Sequence, residues 1–395
     1  MVNREREDDV LAGVREGATR IGKGSKGVAD RVPVYAQMSH HSARLVGEST
    51  IDFFTKAETF LRCELAADIF YEIDAATINY DVYNIESEAL GAKLIWNEEQ
   101  IPAIDPQSHL LRSAEGYEDL RPIKFGSAGR MPYVLEINRR LMDMGLSPKV
   151  RFTGLFTFAA NLLGLEELIL AIVTEPERVH RLMSFLADEV VGPWIQCQRE
   201  SCGRNETATG SDALASPPLI GVEMVREFCL RYIERLEEKV GGIRLAGLWG
   251  ESCLRNPREL LDIKRAGTAG TIQVLDPDVS ALGPRLFKGY ADQYGIGLIM
   301  GLDAHLIASG PVEEIAARAR MFIEEAGMEG RFVLFMNDIA YTAPVENVKA
   351  VISAAREYVS DASNRCYVRR ERDTAGKQGR SIEDVYRRVG RMMAR

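Results

Sequence analysis

Short apolar runs alternate with helix-period segments along most of this chain, and nearly every run ends in an acid or a turn residue. Residues 32–36 (VPVYA) open the series. Residues 68–74 (DIFYEID) and the extended stretch TINYDVY follow a helix-spaced segment over 51–66. The series continues through residues 151–157, a weak run at 206–210, then 243–249, 271–276, 297–303 and 332–338. Helical patterns stand between the later runs at 162–173, 175–198, 257–266 and 311–326, with Pro176 suited to a first helical turn. Strands separated by helices of this length need right-handed crossovers, which build a parallel sheet. About eight strand–helix units predict an α/β fold, a closed (β/α)8 TIM barrel over residues 31–360. An N-terminal helical extension (1–30) and a basic C-terminal helical tail (361–395) flank it, and residues 92–104 read as a hairpin turning at Asn97-Glu98-Glu99.

Charge narrows the function classes. The 395 residues carry a net −9, but residues 364–395 alone carry +6, which leaves −15 for the rest. An acidic body lacks the basic face that phosphate neutralisation needs, so no nucleic-acid partner is expected. The tail predicts a helix with Ile382, Val385, Val389 and Met392 on one face, packing on the acidic body or a second subunit, or else serving as a docking site. Six cysteines without CxxC pairs and a highly charged start predict a reducing cytoplasm. The most apolar stretch, LEELILAIV, falls short of the roughly 20 residues that cross a bilayer. Neither GxGxxG after a strand nor GxxxxGK[ST] occurs, so nucleotide binding by those routes has no support.

In a (β/α)8 barrel, reacting groups sit at the carboxyl ends of the strands. His40 and His41 follow the first strand, and of two neighbours on an extended segment only one faces inward, taken here as His41. Asp74 ends the second run. Asp212 and Ser216 follow the fourth, Trp249 and Glu251 end the fifth, Asp276 the sixth, Asp303 the seventh, and Asn337 with Asp338 the eighth. These acids are expected to share one mouth, where mutual repulsion raises pKa values and suits proton transfer. His41, Asp74, Asp212, Glu251 and Asp338 are the catalytic candidates; Trp249, Asn337 and Asp303 are the substrate-contact candidates. Each has a plainer reading as well. A strand-end Asp serves as a helix N-cap, Asp276-Pro277-Asp278 above all, and Trp249 fills a barrel interior.

For metals, HExxH, CxxC pairs and His-x-Cys are all missing. Glu88 and His109, with Glu72 or Glu86, form a looser set, and Glu251-Ser252-Cys253 spaces a carboxylate and a thiol two residues apart. Surface acids and a buried thiol are the plainer account of either group taken alone.

Several segments together resemble the uroporphyrinogen decarboxylase superfamily. They are Val32-Pro33-Val34, EALGA at residues 88–92, FTGLFTFAANLLG with the following TEPERVHRLM, SDALASPPLIG, IMGLDAHLIASGPVEEI, and AYTAPVENVKAVISAAREY. The resemblance spans about residues 30–360 and implies a (β/α)8 barrel. That superfamily also holds the methyltransferases that serve corrinoid proteins and thiols. Its porphyrinogen decarboxylases carry MRQAGR after the first strand; here AQMSHHSARLVG stands there, with only Arg44 to meet substrate carboxylates. Its thiol methyltransferases carry His-x-Cys after the fifth strand and Cys after the eighth, where this chain has Gly247-Leu248-Trp249 and Met336-Asn337-Asp338.

The resemblance therefore implies the demethylating branch. There a methyl group leaves the oxygen or nitrogen of a small substrate, an O-methyl compound and aromatic ones among them, for the cobalamin of a separate corrinoid protein. The leaving group needs a Lewis acid or a proton donor. Glu88, His109 and Glu72 are the implied zinc ligands; Glu251, Asp212 and Asp338 are the alternative donors, and Trp249 stacks on an aromatic substrate. A homodimer is compatible with the family. Two further readings stand beside this one: a decarboxylase or lyase acting on a smaller acid through His41 and the strand-end acids, and a barrel that binds without turnover.

Overall fold

Eleven strands are found among the described residues of the computed structural model, which describes residues 9–76, 78–268, 270–361, 363–370 and 380–394. They are β1 (Val34–Ala36), β2 (Leu94–Asn97), β3 (Gln100–Ile104), β4 (Arg151–Thr153), β5 (Ala208–Ser211), β6 (Ile243–Ala246), β7 (Thr271–Leu275), β8 (Gly297–Leu302), β9 (Phe332–Met336), β10 (Tyr358–Asp361) and β11 (Cys366–Arg369). The helices used below are α1 (Ala12–Gly24), α2 (His40–Val46), α3 (Ala57–Tyr71), α4 (Ile85–Ala89), α5 (Leu155–Leu163), α6 (Arg258–Ala266), α7 (Val345–Arg356) and α8 (Ile382–Met393). The described chain divides into two compact units. One takes the residues up to Phe53, Glu58–Asn79 and those from Gly270 onward; the other takes Phe54–Ala57 and the residues from Tyr80 to Thr268.

The first unit is built on a parallel sheet of order β1-β9-β8-β7. All five residues of β9 are buried, as expected of a parallel strand covered on both faces. Its register places Ala36 beside Met336, Met336 beside Leu302 and Gly301 beside Leu275, so the four strands end at one rim. At the other end the antiparallel hairpin β10–β11 joins the segment that leads into β1. Val32 N–H donates to the Tyr358 carbonyl and Ser360 N–H to that of Asp30. The tail helix α8 forms as expected: Val385 and Val389 are buried while Ile382 and Met392 are half-buried. Tyr386 donates to Glu48 at 2.5 Å, and the Arg62 guanidinium lies 3.7 Å over its ring.

The second unit is built on a parallel sheet of order β4-β5-β6, with Thr153, Ser211 and Ala246 in line at its carboxyl edge. The expected hairpin is present as β2–β3, turning at Glu98-Glu99. The single helix expected over 162–173 is two helices instead. Gly164, with φ of +93°, ends α5, and Leu165–Thr174 departs at 106°. No single helix among the described residues is long and apolar enough to cross a membrane.

Two of the expected extended runs form no strand among the described residues. Asp68 to Tyr71 are the last turn of α3, which is so thoroughly buried, from Phe60 and Leu61 through Cys63, Leu65, Ala67 and Asp68, that its end reads as a continuous apolar run. Of TINYDVY, Thr77 lies outside the described residues and the rest is irregular. Its Val82 and Tyr83 carbonyls accept from the Thr153 hydroxyl and the Asn161 amide, side chains taking the bonds a sheet ladder would use.

Candidate functional site

At the rim of the first sheet, β1 gives way to Ser39 and β9 to Asp338, and both are non-glycine residues in the left-handed region, with φ of 46° and 43°. Such strain persists where surrounding structure enforces it, and it clusters at working sites. His40 and His41 begin α2 and are not on an extended segment, so the alternation expected of them does not apply. His41 is buried, and its Nε2 lies 3.0 Å from the Tyr71 hydroxyl. Burial lowers its pKa to about 4, against the opposing pull of the Tyr341 and Ala340 backbone, so the imidazole is neutral near pH 7. His40 stacks on Tyr341 at 5.5 Å, and Arg44 donates to the Tyr341 carbonyl at 3.2 Å.

The strand-end acids of this sheet divide by their partners. Asp303 caps its helix, accepting from His305 and Leu306 N–H at 2.6 and 3.2 Å. Asp276 accepts from the Ser280 N–H at 3.0 Å and from Arg318 at 3.1 Å; burial raises its pKa. Asp338 alone of the three shows no hydrogen bond or ion pair among the described residues. It is exposed, yet crowding by protein raises its pKa. Asn337 stands beside it, against Gly301 on the neighbouring strand.

Asp74 lies elsewhere. It ends no strand, because its own run continues from helix α3, and it bonds to the amino end of β1, accepting from Val34 N–H at 2.8 Å. Arg20 of α1 reaches it at 2.7 Å, Arg31 at 2.6 and 2.7 Å, and Arg356 of α7 at 3.3 Å. Three guanidinia on one buried carboxylate make a structural tie between terminal segments at the rim opposite Asp338. Glu72 is exposed there, with its backbone carbonyl taken by Arg356.

In the second unit, Asp212 follows β5 and is fully buried. Its carboxylate accepts from the Phe156 and Thr157 N–H groups at 3.2 and 2.8 Å, the Thr157 hydroxyl at 2.6 Å and the Cys229 thiol at 3.3 Å. Burial raises its pKa and those donors oppose the rise. Trp249 is fixed at both backbone and ring: its N–H donates to Ser216 Oγ at 3.1 Å and its Nε1 to the Ala213 carbonyl at 3.2 Å. Glu251, fully buried, forms an ion pair with Lys264 of α6. Sequence reasoning missed Lys264, although its place four residues after Leu260 and three after Leu261 puts it on that helix's apolar face.

Two more buried carboxyls lie near the end of β4. Glu86 of α4 accepts from Thr153 N–H at 3.0 Å, and its other oxygen lies 2.7 Å from Thr153 Oγ1; burial lifts its pKa to about 7. Asp81 and Glu88 share one cation. Arg130 donates to Asp81 at 2.7 Å and to Glu88 at 2.6 Å, with Trp96 of β2 over the guanidinium at 5.0 Å. Arg130 had no signal beyond a lone cation at a helix start.

The implied zinc set does not fit. Glu88 is engaged by Arg130, and His109 turns Nδ1 to the Asn161 carbonyl at 3.2 Å with its ring against Gly164. Among the described residues no three His, Cys, Asp or Glu side chains gather as a metal-ligating group. Glu88, His109 and Glu72 are therefore not assigned as metal ligands.

Against known proteins, the family model described as uroporphyrinogen decarboxylase (URO-D) matches residues 23–358. The methylated-thiol–coenzyme M methyltransferase of Methanosarcina mazei is 26% identical over 309 residues, covering 72% of this chain and 73% of its own length. Among solved structures, a methyltransferase from Methanosarcina mazei aligns with a TM-score of 0.68 at 17% identity, over 88% of this chain and 98% of that one. At that identity the likeness speaks for the fold. The fold is α/β, of the (β/α)8 TIM-barrel class, and with a family match running from α1 to β10 the chain belongs to the uroporphyrinogen decarboxylase (URO-D) family.

Proposed function

We propose that this protein is a methyltransferase that takes a methyl group from the oxygen of a small methylated substrate and passes it to a corrinoid protein. The observation that carries the reading is the 26% identity, over nearly three quarters of both chains, to a protein named as a methyltransferase. The reduced cobalt of the partner's corrinoid supplies the methyl acceptor. What this chain supplies is the substrate's orientation and a proton for the departing oxygen, since an unassisted alkoxide or phenoxide leaves poorly.

Asp338 is the group we assign to that proton. It is the strand-end acid of the first sheet with no partner among the described residues, crowding by protein raises its pKa, and its backbone is held in a strained conformation. His41, neutral and anchored to Tyr71, holds the β1 rim in place. In the second unit the Trp249 indole is fixed by Ala213, and Asp212 and Glu251 are structural anchors by virtue of their donors and Lys264. Asn337 and Asp303 border Asp338 on the same rim.

The test is methylation of reduced cobalamin, free or on its carrier, with methoxylated aromatics, methylamines and methanol. Product from the methyl ethers supports the reading. Release of carbon dioxide from a carboxylated substrate without any methyl transfer would replace it with the decarboxylase reading.

A further inference from the structure

Two fully buried carboxyl groups, Glu86 and Asp212, stand near the ends of neighbouring strands β4 and β5, and their partners differ in kind. Around Asp212 every partner is a donor: two backbone N–H groups, a hydroxyl and a thiol. That shell suits an anion. Around Glu86 the protons do not add up in the same way.

Thr153 Oγ1 lies 2.7 Å from Glu86 Oε2 and 2.8 Å from the Val82 carbonyl oxygen. Both separations are those of O–H···O hydrogen bonds, and each needs a proton between its oxygens. A threonine hydroxyl brings one proton and a backbone carbonyl brings none. With Glu86 ionised, Thr153 satisfies one contact and leaves two lone-pair-bearing oxygens pressed together in the other, at a separation too short for a water to stand between them. With Glu86 protonated, both contacts are made: the carboxyl donates to Thr153, and Thr153 donates to Val82.

We propose that Glu86 is a neutral carboxylic acid in the folded protein, and that its proton joins α4 and the segment around Val82 to the end of β4 as a positioning device for the neighbouring Asp81. The surrounding charges agree with this count. Asp81 and Glu88 are negative neighbours already served by Arg130; Tyr80 is buried nearby, Arg151 stands at the far end of β4, and Asp212 follows the adjacent strand. None places a cation on Glu86, whose donors among the described residues are the N–H and hydroxyl of Thr153 and its own backbone N–H. The shift of its pKa to about 7 points the same way.

The experiment is infrared difference spectroscopy of the whole protein against Glu86→Gln, recorded across a pH series. Wild type is expected to show the carbonyl stretch of a protonated carboxyl that the variant lacks, and to lose it as pH rises through about 7. A wild-type spectrum with no such extra band between about pH 5 and 7, where an ordinary carboxyl is already ionised, overturns the proposal. Glu86→Gln supplies a second reading, because its amide can accept from Thr153 N–H and donate to Thr153 Oγ1 as the acid does. It should keep wild-type resistance to unfolding on the acid side of that transition and remain flat through it, whereas Glu86→Ala is weakened throughout. Equal damage by both substitutions counts against the proton. The consequence for turnover rests on the methyl-transfer reading: the part of an alkaline fall in activity that follows Glu86 is absent in Glu86→Gln, while the part that follows Asp338 remains. The spectroscopic and unfolding arms need no substrate, so failure of that reading leaves them decisive.

Discussion

Asp212 accepts both the amide N–H of Thr157, at 2.8 Å, and its hydroxyl, at 2.6 Å. The carboxylate thereby caps α5, whose own N-cap position is Gly154, a residue with no side chain to offer. The same arrangement requires the glycine, since a Cβ there would stand 2.3 Å from that of Asp212. Asp212→Ala removes the cap and strands buried donors, so urea unfolding should register a loss of about 2 to 4 kcal/mol. Asp212→Asn should lose nearly as much, because an amide presents a single acceptor oxygen where four donors converge.

Asp74 is the tie between the terminal segments and β1. Asp74→Asn leaves Arg20, Arg31 and Arg356 facing a neutral amide and is expected to cost about 3 to 5 kcal/mol, the scale of breaking a buried ion pair. The exposed Arg139–Asp143 pair is the control: Asp143→Asn should leave the urea midpoint indistinguishable from wild type.

Asp338 separates stability from activity. Asp338→Gly relieves the left-handed backbone and should raise stability by about 1 kcal/mol, while removing the assigned proton donor. Asp338→Asn should lower kcat/KM for methyl transfer by roughly 100- to 10,000-fold with an unchanged unfolding curve. A wild-type rate in either variant removes Asp338 from the mechanism.

Glu86 gives stability a pH dependence whose sign is fixed. Its folded pKa, about 7, lies above the ordinary 4.5, so the folded state holds a proton that the unfolded chain has released. Stability is full below pH 4.5, declines between there and about 7, and is lower by roughly 3 kcal/mol beyond, once other titrating groups are subtracted with Glu86→Gln.

Much of this was legible before the structure. Six of the apolar runs after residue 150 became β4 to β9, because each is short and is punctuated by turn or acidic residues. The second run failed because a helix buried on all sides carries no stripe to betray its period. Among site residues, the strand-end acids stood where expected on β7, β8 and β9, and Asp276 and Asp303 took the capping role that was always their plainer reading. What sequence could not convey was pairing across the chain: Lys264 for Glu251, Arg130 for Asp81 and Glu88, and three arginines for Asp74. Such partners are brought together by topology and leave no local spacing to read.

The ladder between β1 and β9 joins Val34 to Leu334, and the stretch just before β1 is held by Tyr358 and Ser360. β1 therefore cannot pair with β9 until the chain has been made as far as Phe332–Met336. A chain cut short of β9 would leave β1 an orphaned edge, open to pairing with other copies.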